Sequence, residues 1–171
     1  MNDRSTQIEN GKAVGESAFY HLSSSMLGKE YERLCELTDT LDKDPELKKE
    51  HIAEYKCAKY RSAAVGRIYN LLQYGYMVYH RSAIHIDIEN CINNNTELLF
   101  LCDNAPDEEK IDYKLYYGIS FITEDMYKKY LEKLGHANDY ERIELEERVA
   151  GLLYCKECLD EAWQKRKDVA K

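Results

Sequence analysis

Six cysteines and five histidines, set in an uneven spread of charge, are the raw material for chemistry in this chain. Cys155 and Cys158 are separated only by Lys156 and Glu157, and two thiolates at that spacing can share a Zn²⁺ or cycle between dithiol and disulfide. A structural zinc site needs two further ligands, yet the chain has no second CxxC and no HxxxH, so Cys102 or His136 would have to be brought in by the fold. Redox CxxC pairs usually follow a strand, whereas these cysteines sit in a helical pattern. Packing is therefore the plainer role for Cys155 and Cys158, and a zinc or thiol site is the alternative. A Gly-rich phosphate loop, a GxSxG elbow and an HExxH motif are all missing from the sequence, and no cofactor is expected.

Arg81 and His85 form a second constellation, with Ser82 between them and His80 alongside. A guanidinium beside an imidazole can hold a phosphate while His85 exchanges protons near neutral pH. The arrangement resembles the Arg, polar residue and His of the helical HEPN ribonucleases, one residue short of that family's usual spacing. The resemblance implies a metal-independent ribonuclease with Arg81 and His85 at a dimer interface. The bland counterpart is a histidine lining a helix end, since short motifs recur by chance.

Charge supplies two more candidates. The formal net charge is −8, but residues 45–81 carry seven Lys/Arg against three Asp/Glu, while 86–112 carry eight Asp/Glu and only Lys110. Lys49, Lys56, Tyr60, Arg67 and Tyr74 fall on one face at helical period, and cations interleaved with aromatics suit an acidic protein surface or a single-stranded nucleic acid. A solvated face with snorkelling lysines, or one paired with the chain's own acidic segment, needs only ordinary physics. Asp103, Asp107, Glu108, Glu109 and Asp112 are dense enough to attract Ca²⁺, but the ordered spacing and Gly of an EF-hand loop are absent. The same carboxylates could present a phosphate-like surface that occupies a basic channel on another protein. An acidic total makes direct nucleic-acid binding unexpected.

The elements that must position these groups are helical. Only two prolines and eight glycines interrupt 171 residues, and a chain of that length buries roughly 70% of its unfolded surface without staples. Asp44 before Pro45 is a helix start, with a capping carboxylate and a preset φ in the first turn. From Pro45 to Tyr79 the period places Leu47, His51, Ala58, Val65, Tyr69, Leu72 and Tyr76 on one inward face. Residues 17–43 repeat a helical pattern that Gly28 is expected to interrupt, and the Asp-Pro turn predicts an αα-hairpin between these two helices. Fifteen tyrosines against three Phe and one Trp predict half-buried seams, because each hydroxyl needs a partner.

Residues 83–122 read two ways. Ile84, Ile86 and Ile88 alternate as in a strand, while Pro106 to Glu109 form a helical first turn with Gly118 as its stop. Thr123 then caps a short helix ending at Gly135, and Asn138 or Asp139 opens a last helix with the stripe Leu145, Val149, Leu152, Leu159 and Trp163.

The expected fold is all-α: a single-domain helical bundle built on a long αα-hairpin, with residues 1–16 as a flexible arm and 17–171 as one helical domain. The alternative is α+β, with a small β-hairpin within 83–122. The opening MNDRSTQIENGK lacks an apolar segment behind basic residues, so no secretory signal is expected. The apolar run Ile68 to Tyr79 is too short and broken to span a membrane. Scattered cysteines in a chain that needs no staples are expected to be reduced, hence cytoplasmic. The function expected from these features is a non-enzymatic, cytoplasmic protein–protein interaction module, in its more specific form an acidic inhibitor. Its partner is another protein or a second copy of the chain, and the ribonuclease and zinc or thiol readings are the alternatives.

Overall fold

The computed structural model describes residues 17–80 and 107–169, with side chains for 17–76 and 109–168. Every described element is a helix: α1 (Ala18–Asp42), α2 (Pro45–Glu50), α3 (Ile52–His80), α4 (Asp107–Gly135) and α5 (Asp139–Val169). The fold is all-α, and no strand occurs among the described residues. Residues 1–16 and 81–106 lie outside the described part, and with them most of the segment for which a hairpin was the alternative. Its end, 107–122, is helical.

The caps follow local chemistry. Ser17, extended at φ −172°, accepts from the Tyr20 N–H at 3.0 Å and opens α1. Asp44 Oδ1 accepts from the N–H groups of Glu46 and Leu47 at 3.2 and 3.1 Å, with Pro45 in the first turn of α2. Asn138 does the same for Tyr140 and Glu141 ahead of α5, at 3.0 and 3.1 Å.

Three expectations about helix continuity are corrected. The helix from Pro45 to Tyr79 is two helices, broken at His51 (φ −108°, ψ 30°), which is exposed rather than inward. No residue of α2 is buried, and Leu47, expected on the inward face, is half-buried. Asp42 instead ties the two sides of the break, accepting from Lys48 Nζ at 2.5 Å and Tyr55 OH at 3.3 Å. Gly28 does not interrupt α1; it is buried, and a Cβ there would lie 3.2 Å from the Tyr69 hydroxyl of α3. Gly118 and Thr123 are neither stop nor cap, because both are buried inside one continuous α4. Thr123 Oγ1 donates to the Ile119 carbonyl at 2.7 Å, so its hydroxyl is satisfied without ending a helix.

The four long helices share one core of Phe19, Leu27, Val65, Ile68, Leu72, Leu115, Ile119, Leu152 and Leu159, all fully buried. Glycines set the closest approaches. Gly28 and Gly66 each receive a tyrosine ring from the opposite helix, Tyr69 and Tyr31, so α1 and α3 run side by side in opposite directions. A Cβ on Gly151 of α5 would lie 3.0 Å from Ala64 Cβ and 3.1 Å from the Arg61 carbonyl of α3. Tyrosines form the seams around this core. Tyr20 stacks on Tyr76 at 3.8 Å between centroids, and Tyr116 stacks on Trp163 at 4.3 Å.

Candidate functional site

The cationic stripe expected on one helical face is divided between two helices by the break at His51. Lys49 on α2 and Lys56 and Arg67 on α3 are exposed, Tyr74 is 53% exposed, and Tyr60 is half-buried. None of the three cations forms an ion pair among the described residues. A cation without a counter-charge on a folded surface is available to an acidic partner, since no existing pair has to be broken first.

Arg67 also opens onto a groove that the sequence does not reveal. Ala63, Ala64 and Arg67 of α3 face Met126, Lys129, Tyr130 and Lys133 of α4 and Arg148 of α5 around a volume of about 470 Å³. Four cations line it and no carboxylate does. Two of them are already balanced on their own helices: Lys129 by Asp125 at 2.7 Å and Arg148 by Glu144 at 2.9 Å. Lys133 has no carboxylate partner among the described residues but lies 5.4 Å from the centre of the Tyr130 ring, and the Arg148 guanidinium lies 5.6 Å from the same ring. At these distances the ring quadrupole attracts both cations. Lys129, Tyr130 and Lys133 continue into a cleft of about 810 Å³ at the α4–α5 turn, where Glu132, His136, Glu141 and Glu144 change the sign of the wall.

The acidic candidates divide. Asp103 lies outside the described residues, while Asp107 and Glu108 occupy the first turn of α4 and Glu109 is half-buried. Asp112 is not part of a solvated cluster: it is 7% exposed, accepts from Ser17 Oγ at 2.5 Å, and faces the Phe19 N–H at 3.5 Å. Burial pushes its carboxyl above the ordinary value, against the opposing effects of Ser17, the Phe19 N–H and the positive charge of Arg166. Asp112 thus secures the start of α1 from another helix, and its neighbour Arg166 lies over Trp163 at 3.2 Å. The Tyr116 hydroxyl donates to Asp160 at 2.8 Å beside them. Burial in first place, and then this carboxylate, raise its pKa.

Cys155 is fully buried and Cys158 is 5% exposed, both in the core on α5. Burial pushes both thiols up, and for Cys155 the neighbouring Cys158 adds to the effect. The thiolate is the form that attacks or ligates, so this setting works against zinc or redox chemistry. Among the described residues no group of three or more His, Cys, Asp and Glu side chains is arranged to hold a metal ion. Arg81 and His85, the ribonuclease candidates, follow the end of α3 and lie outside the described residues, as do Cys91 and Cys102. No described helix is long and apolar enough to cross a membrane.

Comparison with known protein families, with characterised proteins and with solved structures finds no match.

Proposed function

We propose that this chain is a non-enzymatic protein–protein interaction module, framed by a single helical bundle on the α1/α3 hairpin, that binds an acidic surface through the outer side of α2 and α3. The observation that carries this is the set of exposed cations Lys49, Lys56 and Arg67, none of them neutralised by a described carboxylate, alongside the exposed ring of Tyr74. Tyrosine adds rigid contact area with a hydrogen-bonding tip at small entropic cost, and unpaired lysine and arginine steer an acidic partner into place. The partner is another protein or a second copy of the chain, met in the cytoplasm. The more specific acidic-inhibitor form has less support, because Asp112 points into the interior and Glu109 is half-buried.

The test is binding before and after charge reversal. Lys56→Glu with Arg67→Glu should abolish capture of an acidic partner, or self-association in light scattering. Raising ionic strength from low salt to about 0.15 M should weaken the wild-type complex by screening. Binding that survives both changes would sink the proposal. An RNA-loaded dimer whose cleavage activity is lost in His85→Ala would instead establish the ribonuclease reading.

A further inference from the structure

We infer that the groove between α3, α4 and α5 receives a phosphorylated side chain of the partner protein, with the phosphate held between Arg67 and Lys133 beside Tyr130. This rests on the interaction-module reading and names the chemistry of the partner's anchor.

The charge account points to a dianion. Of the four cations lining the groove, Lys129 and Arg148 have carboxylates one helical turn away, whereas Arg67 and Lys133 have none among the described residues. Two positive charges are thus without an ion pair among the described residues, although Lys133 also borders the cleft that holds Glu132, Glu141 and Glu144. A phosphate monoester carries about −1.5 to −2 near neutral pH and offers three acceptor oxygens, whereas a carboxylate neutralises only half of the groove. Arg67 supplies a planar fork for bidentate contact, and Lys133 a point charge on a flexible stem. Lys129 and Arg148 can join by giving up surface ion pairs, which are cheap to exchange.

The walls suit a side chain rather than a free metabolite. Ala63, Ala64 and Met126 give an apolar lining for the carbons next to the phosphate ester. The groove is open to solvent, so a small molecule would stay largely wet, whereas binding sites for small ligands bury most of the ligand's surface. A partner protein brings flanking contacts of its own, and the exposed Lys56 and Tyr74 on the same helix are there to meet them. A nucleic-acid backbone is the weaker match, because each diester carries one charge and binding needs a row of cations, whereas Glu132, Glu141 and Glu144 line the adjoining cleft.

The experiment uses the full chain and pooled degenerate peptides with a fixed central phosphoserine or phosphothreonine, against identical pools with Ser, Thr or Glu, read by fluorescence anisotropy. The phosphorylated pools should bind about tenfold more tightly or better, a difference worth about 1.4 kcal/mol. Arg67→Ala with Lys133→Ala should remove that preference with unchanged circular dichroism, Arg67→Lys should retain part of it, and Lys29→Ala on α1 should leave it intact. Equal binding of all pools, an unchanged preference in the double variant, or displacement of the phosphopeptides by a single-stranded RNA would overturn the inference. The module reading survives that failure if unphosphorylated acidic protein is still captured in a salt-sensitive way. It falls as well if the wild-type chain holds no protein partner, phosphorylated or not, at low salt.

Discussion

Gly151 lies where α5 presses on α3, and an added methyl group there sets two known effects against each other. Alanine in a helix interior is favoured over glycine by about 0.8–1.0 kcal/mol. The new Cβ, however, would sit 3.0 Å from Ala64 Cβ and 3.1 Å from the Arg61 carbonyl, and neither a backbone oxygen nor an alanine methyl can rotate away. Comfortable carbon contacts begin near 3.5 Å, so the two helices must part by a few tenths of an ångström. That separation is felt at the neighbouring buried residues Leu152 and Val65. Overpacking of this kind costs about 1–3 kcal/mol, which leaves Gly151→Ala less stable than the wild type by about 1 kcal/mol. In a chain of this size the melting temperature should fall by roughly 2–4 °C. Gly135 is the control: a Cβ there has nothing within 4 Å, so Gly135→Ala should gain a few tenths of a kcal/mol, up to about 1. Thermal and urea unfolding by far-UV circular dichroism measures both. The double variant Gly151→Ala with Ala64→Gly should lose less stability than the two single variants summed, as expected for residues in contact. If Gly151→Ala raises the melting temperature as Gly135→Ala does, the close approach of α3 and α5 is refuted.

Asp112 predicts a pH dependence of opposite sign to ordinary acid denaturation. Burial holds its folded pKa above 3.8, so the folded chain keeps this proton where the unfolded chain has lost it. Its contribution is greatest below 3.8 and declines as pH rises through the folded value; the stability difference between wild type and Asp112→Asn, followed by urea titration, should shrink or reverse over that window, and a flat difference would contradict it. Trp163→Ala removes a 9%-exposed ring that Tyr116 stacks on and Phe19 meets edge-on, and should cost about 3–5 kcal/mol in urea unfolding followed by circular dichroism. In thiol titration with mass mapping, half-buried Cys35 and Cys57 should react before buried Cys155 and Cys158, which should label only as the chain unfolds. Early modification of Cys155 would show that the α5 core opens readily.

The caps at Asp44–Pro45 and Asn138 were readable because a cap is a contact between residues two or three apart, and the inward faces of α3 and α5 because a helix repeats its direction every 3.6 residues. The same angular argument put Lys56, Arg67 and Tyr74 opposite the apolar stripe, but not whether solvent or another segment covers them. Gly28, Gly118 and Thr123 were misread as punctuation, since a buried glycine that admits a neighbouring ring carries the same letter as one that ends a helix. Tyr130, Lys129, Lys133 and Arg148 were missed altogether; an i, i+4 lysine pair flanking a tyrosine is the only trace of them in the chain, and it is a common pattern on solvated helices.

The sequence alone determined the helical class, the starts of several helices and the apolar stripe of α3, all of which depend on neighbours within a few turns. Tertiary structure decided what those helices do for one another. It turned Asp112 from one acid in a charged run into a buried tie for the start of α1, and it buried Cys155 and Cys158 in the core. It also brought Arg67 into one groove with cations more than sixty residues away along the chain. The physical reason is that helical period records an angle about one axis, while burial and net charge at a site depend on which other axis lies against that angle.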